Sequence, residues 1–104
     1  MGVEGLNVDR DRLADLCERY GVARLEVFGS LARGEDRAGS DLDVLVTFEP
    51  GAAGGLAFVG LRRELEALFD RPVDLLTRSA VERSPNKYFR RFALQRTEPL
   101  YERA

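Results

Sequence analysis

The segment from Asp41 to Phe48 constrains the fold most, because its centre is apolar on both faces. It reads Asp-Leu-Asp-Val-Leu-Val-Thr-Phe. Such a run is typical of a strand in a sheet that is covered on both sides. Apolar and β-branched residues also predict strands at Ala23–Phe28 and Pro72–Thr77. The chain therefore predicts a small sheet that needs a helical layer on each face.

Helical patterns alternate with these strands. Asp9–Tyr20 has an N-cap aspartate, one apolar face and a stop at Gly21. Leu56–Phe69 repeats leucines at helical spacing, and the residues after Thr77 predict two further helical pieces. Ser84-Pro85 marks the start of the last piece, with the serine as its cap. We expect an α/β fold, with a small mixed sheet flanked by helices, and one domain over residues 1–104.

Several features are ordinary packing residues in this prediction. Cys17 lies on the apolar face of the first helix, so we assign it to the core. The aromatic stripe of Tyr88, Phe89 and Phe92 is assigned to the core as well, although part of it could form a partner surface. The arginine pairs at 62–63 and 90–91 are expected on solvated helix faces.

The composition excludes several kinds of active site. The chain has no histidine and a single cysteine. Ser-His and Cys-His catalysis, the common zinc sites and an intrachain disulfide are therefore excluded. Carboxylates and hydroxyls remain, and these hard oxygen ligands suit Mg²⁺ or Mn²⁺.

The same composition gives expectations about location and partners. The formal net charge is −2, so the molecule as a whole has no electrostatic attraction to nucleic acid. No stretch approaches the roughly 20 apolar residues of a membrane span, and no signal peptide is apparent. The lone cysteine fits a reducing compartment. We expect a cytoplasmic protein with no membrane and no direct nucleic-acid partner.

Asp41 and Asp43 are the first candidates for chemistry. They are two residues apart at the start of a strand, so both carboxylates point to one face, with Cα atoms about 6.5 Å apart. Carboxylates this close repel each other unless a cation lies between them. Two divalent ions roughly 3.5–4 Å apart can serve an in-line phosphoryl displacement. Ordinary solvated turn carboxylates are the alternative interpretation.

Gly29-Ser30 provides the second half of the predicted site. A glycine lets the backbone turn sharply and approach a ligand closely. Amides at the start of a short helical turn over 30–33 would then point at a phosphate. The alternative is a simple strand-to-helix turn.

Asp74 is the third candidate. It lies between Val73 and Leu75, where a carboxylate is unfavourable unless it faces a site or solvent. If its strand pairs with Asp41–Phe48, Asp74 joins the aspartate face. It could then bind metal and accept a proton from an attacking hydroxyl.

These residues resemble the signature of the DNA polymerase β-like nucleotidyltransferases, and specifically of the minimal nucleotidyltransferases that are paired with HEPN-domain toxins. Gly-Ser alone or Asp-x-Asp alone would be a weak motif, but the combination with a later strand aspartate is specific. The resemblance covers nearly the whole chain. Its motifs are Gly29-Ser30, Arg33-Gly34, Ser40-Asp41-Leu42-Asp43, Val73-Asp74-Leu75 and a C-terminal helix ending near Leu100-Tyr101-Glu102.

The resemblance implies a role for each matching residue. Asp41, Asp43 and Asp74 would bind two Mg²⁺ ions, or Mn²⁺, and Asp74 would also act as the base. Gly29 and Ser30 would bind the triphosphate of ATP or another nucleoside triphosphate, with support from Arg33. Ser40 would brace the loop before the aspartates.

The resemblance also implies a reaction and a partner. An acceptor hydroxyl attacks the α-phosphate and releases pyrophosphate, so AMP would pass from ATP to the acceptor. We expect no acceptor-binding domain within 104 residues, so a partner would hold the acceptor. The expected acceptor is a tyrosine of a HEPN toxin, which makes the chain an AMPylating antitoxin. The alternatives are an antitoxin that acts by docking alone and a small-molecule nucleotidyltransferase.

Overall fold

A computed structural model describes residues 9–28, 41–52 and 55–103, and within these ranges four strands form one mixed sheet between two helical layers. The strands are β1 (Val22–Phe28), β2 (Leu42–Phe48), β3 (Val73–Thr77) and β4 (Glu98–Glu102). The helices are α1 (Arg10–Arg19), α2 (Gly55–Phe69), α3 (Arg78–Glu82) and α4 (Lys87–Gln95). The fold class is the one that the sequence predicts.

The strand order is β3-β2-β1-β4. β1 pairs antiparallel with both β2 and β4, whereas β2 and β3 are parallel. A parallel pair needs a crossover connection, and α2 provides it here. β3 therefore runs beside β2 in the same direction, which meets the condition under which Asp74 joins the aspartate face.

The larger core lies between the sheet and the pair α1 and α2. Alternate residues of each strand enter it, because strand side chains alternate between faces. Its buried members include Leu13, Leu16, Cys17, Leu25, Val27, Leu42, Val44, Val46, Leu61, Leu65, Val73 and Leu75. The assignment of Cys17 to the core is confirmed.

A smaller core covers the opposite face, beneath α3 and α4. Its buried residues are Phe28, Leu45, Val81 and Ala93, and Leu76 and Leu94 pack against them. The sheet is therefore covered on both sides, as the apolar centre of β2 predicts.

The first helix begins and ends as predicted. The Asp9 side chain accepts hydrogen bonds from the amides of Asp11 and Arg12, at 3.1 and 3.2 Å. Gly21 follows Tyr20 with a φ of +68°, which glycine adopts readily. Within the described residues, no helix is both long enough and apolar enough to cross a membrane.

The C-terminal prediction is wrong in part. Residues Glu98–Glu102 form β4, not the end of a helix. Pro99 fits this strand because β4 is at the edge of the sheet, where proline is tolerated. Pairing with β1 overrides the local helical pattern.

The start and the exposed face of α4 also differ from the prediction. Asn86, not Ser84, is the N-cap, and its side chain accepts from the amides of Tyr88 and Phe89, each at 3.1 Å. The aromatic stripe is not core, because Tyr88, Phe89 and Phe92 are 74%, 37% and 47% exposed. Ala93 and Leu94 make the core contacts of this helix instead.

Candidate functional site

The carboxylates of Asp43 and Asp74 lie on neighbouring strands in matching register. Asp43 of β2 is the direct partner of Asp74 of β3. Adjacent strands are about 4.8 Å apart, and paired residues point to the same face. Both aspartates alternate with core residues of the α1/α2 side, so they lie on the face that α3 and α4 cover. Asp74 is exposed and Asp43 is half-buried.

Asp41 occupies a different position. It precedes the first residue of β2 and is exposed. The backbone just after it is fixed, because the amide of Leu42 donates a 2.9 Å hydrogen bond to the carbonyl of Pro72. This bond joins the starts of β2 and β3, which holds the three aspartates at one end of the sheet.

The other side of Asp43 is bounded by Phe28, its partner on β1. Phe28 is buried in the smaller core. The next residues in the chain are Gly29 and Ser30. These two residues, Arg33 and Ser40 fall outside the described residues, so their assignment to the site remains a prediction.

The aspartates suit a hard divalent cation. Like charges directly opposite each other on paired strands are unfavourable, and a cation between them offsets this repulsion. Among the described residues, no three acidic or thiol side chains converge into a preformed metal site. The pairing of β2 with β3 therefore brings together two candidate metal ligands, Asp43 and Asp74. Their carboxylate oxygens are of the kind that Mg²⁺ binds.

A further buried carboxylate, that of Glu26, lies on the same face and was missed by our reading of the sequence. Its side chain is 1% exposed. Its two oxygens accept from Nη1 of Arg78 at 2.9 and 2.7 Å, and Thr97 donates its hydroxyl at 2.8 Å. The sequence does single out Glu26, because this carboxylate lies between two apolar strand residues, as that of Asp74 does. The arginine satisfies its charge, so Glu26 ties elements together and is not a ligand of the site.

The thiol of Cys17 takes no part in the site. It is fully buried in the larger core, on the face opposite the aspartates. Burial disfavours the thiolate and raises the pKa of Cys17 to about 12. The thiol is therefore protonated at neutral pH and is not a nucleophile.

The chain is similar to known proteins over most of its length. A family model described as nucleotidyltransferase domain matches residues 11–100. The protein adenylyltransferase MntA of Thermococcus cleftensis is 44% identical over 68 residues, which are 65% of this chain and 68% of that protein.

Two solved structures have the same fold. One, described as a minimal nucleotidyltransferase, is 40% identical with a TM-score of 0.66, and the match covers 88% of each chain. The other is a chain from a crystal structure of a toxin–antitoxin with AMP-PNP. It has a TM-score of 0.66 at 19% identity, and the match covers 92% of this chain and 75% of that one.

Proposed function

Because the chain belongs to the nucleotidyltransferase domain family, we propose that it transfers AMP from ATP to a hydroxyl of a partner protein. The observation that carries this proposal is the pairing of Asp43 with Asp74 on one face of the sheet, near the starts of β2 and β3. The similarity to a protein adenylyltransferase supports a protein as the acceptor.

We assign a separate role to each of the three aspartates. Asp43 and Asp74 would bind Mg²⁺, with Asp41 as a further ligand from the start of the same strand. When bound, the metal neutralises charge on the triphosphate and on the leaving pyrophosphate. Asp43 is half-buried between Phe28 and Asp74 and serves as a ligand. Asp74 is exposed on the outer strand of this pair, where an incoming hydroxyl can reach it.

The proposed step conserves atoms and charge. The acceptor oxygen forms a bond to the α-phosphorus, and the bond from that phosphorus to the bridging oxygen breaks. Pyrophosphate leaves with that bonding pair. The hydroxyl proton passes to the carboxylate of Asp74. Gly29 and Ser30, which follow β1 in the chain, would bind the triphosphate, with Arg33 and Ser40 in supporting roles.

We propose a tyrosine of a HEPN toxin as the acceptor, so that modification silences the toxin. Support comes from the toxin–antitoxin structure that shares this fold. Docking without catalysis would be the alternative form of antitoxin. The two differ in what happens to a variant whose carboxylates are neutralised.

The test uses the purified chain, MgCl₂, ATP and a HEPN-domain toxin from the same genome. The expected product is toxin whose intact mass rises by one or more AMP units, and EDTA should abolish the reaction. Asp43→Asn and Asp74→Asn should each lower the rate at least about 100-fold. Asp70→Asn is the matched control, because Asp70 is exposed at the end of α2 with a φ of +56°, which asparagine tolerates.

Three results would contradict the proposal. The toxin could stay unmodified, or the two site variants could keep the activity of the control. A variant with all three aspartates changed to alanine that still protected cells would favour docking alone.

A further inference from the structure

Positive charge is concentrated in residues 83–97, which contain α4. This segment holds five of the chain's 16 basic residues and neither Asp nor Glu. The other 89 residues therefore carry a net charge of −7. Salt screens the interaction between charges that are more than about 8 Å apart. A partner near α4 is therefore attracted or repelled by the positive charge of this segment and not by the net charge of the whole chain.

Large apolar side chains are exposed on the same helix. Tyr88, Phe89 and Phe92 are 74%, 37% and 47% exposed. Aromatic and arginine side chains are the types enriched at the buried centres of protein interfaces. A helix that combines them on its outer surface presents both apolar anchors and charge.

The structure also places α4 on the same side of the sheet as the aspartates. Ala93 and Leu94 fix α4 against the sheet face that carries Asp43 and Asp74. A groove of about 560 Å³ runs along the helix and is lined by Lys87, Tyr88, Arg90, Arg91 and Leu94. Arg90 is held in place, because its Nη1 donates a 2.6 Å hydrogen bond to the carbonyl of Ser84.

We propose that the outer surface of α4 is the docking site for the acceptor protein, and that it binds an acidic surface with apolar side chains at its centre. Lys87 and Arg91 attract the carboxylates, and the exposed aromatics pack against the apolar centre. Docking there places the acceptor on the same side of the sheet as Asp43 and Asp74. The inference depends on the proposed function only for the statement that the docked protein is the acceptor.

Charge favours a protein over a nucleic acid as the occupant. The nine residues of α4 span about 13 Å, at 1.5 Å per residue. A nucleic acid continues as a polyanion beyond so short a patch and meets the negative remainder of the molecule. An acidic protein surface can be limited to the size of the patch.

The binding test uses two short copolymers of about six residues, poly(Glu,Tyr) and poly(Lys,Tyr), so that neither probe extends far past the α4 patch. Both are labelled with fluorescein, and binding is measured by anisotropy without ATP. The wild-type chain should bind poly(Glu,Tyr) through α4, whereas any binding of poly(Lys,Tyr) to the negative remainder of the molecule should not be weakened by substitutions in α4. The double variant Lys87→Glu, Arg91→Glu should bind poly(Glu,Tyr) at least about tenfold more weakly. Both residues are exposed, so folding should be retained.

The matched control is the double variant Arg62→Glu, Arg63→Glu. It makes the same charge change on exposed residues of α2, the helix on the other side of the sheet. It should keep wild-type affinity for poly(Glu,Tyr). Equal weakening in both double variants would overturn the proposal, and so would tighter binding of poly(U) than of poly(Glu,Tyr).

Measurements with ATP distinguish a failure of this inference from a failure of the proposed function. The α4 variant should keep wild-type affinity for ATP. A tenfold loss of ATP affinity would make the groove a nucleotide site and overturn the docking proposal. With MgATP, the α4 variant should raise the KM for AMP transfer to poly(Glu,Tyr) and leave the kcat unchanged. If no transfer occurs but selective binding persists, the docking surface stands and the proposed chemistry fails.

Discussion

At the scale of single residues, Cys17 shows how burial sets reactivity. The same environment that places it in the core raises its pKa to about 12. The unfolded chain has a thiol of ordinary acidity, so its pKa is higher in the folded state. A raised thiol pKa contributes stability that is present below about pH 9 and is lost as the pH rises toward 12.

This linkage predicts a difference between the wild-type chain and Cys17→Ala. Between pH 7 and pH 10.5, the wild type should lose about 2 kcal/mol more unfolding free energy than the variant, as measured by urea titration. Burial also raises the pKa of Tyr101, and a hydrogen bond to Glu64 raises that of Tyr20. Both tyrosines remain in the variant, so their burial and the hydrogen bond to Glu64 are common to the two proteins. The Cys17 thiolate also raises the pKa of Tyr101, so the difference reports the thiol together with its coupling to that tyrosine. An identical pH dependence in the two proteins would refute the assignment.

At the scale of secondary-structure elements, local signals predicted some ends and failed at others. The caps of α1 were predictable because Asp9 and Gly21 act within one turn of the chain. β4 was not, because pairing with a strand some 75 residues earlier determines it. The helix α4 starts later than predicted because Asn86 is its cap. The Asn86 side chain accepts from the amides of Tyr88 and Phe89, two and three residues later in the chain, and these amides are too far along the chain for Ser84 to cap.

Glu26 joins several elements, because it accepts from Arg78 at the start of α3 and from Thr97 before β4. Glu26→Gln should lower the unfolding free energy by about 2 kcal/mol, since it leaves a half-buried guanidinium without its closest anion. Asp15→Asn is the control, because it also neutralises the carboxylate of an arginine pair. Its partner Arg19 and its own side chain are 53% and 72% exposed, so about 0–1 kcal/mol is expected. Equal losses in the two variants would show that the buried pair does not hold these elements together.

At the scale of the whole molecule, the fold and the aspartate face followed from a few residues. The apolar run in β2 required a covered sheet, and the helix between β2 and β3 favoured a parallel pair. That pairing brings Asp74 beside Asp43. The exposure of the α4 aromatics could not be predicted, because periodicity gives an apolar face but not what covers it.

The central claim is that this chain transfers the nucleotidyl group and not the terminal phosphate. The most direct measurement compares ATP labelled on the α-phosphorus with ATP labelled on the γ-phosphorus, using the same HEPN toxin as acceptor. We expect the α label on the toxin and the γ label in released pyrophosphate, with both signals lost in the Asp43→Asn and Asp74→Asn variants. Transfer of the γ label to the toxin, or α labelling that survives both substitutions, would contradict the account.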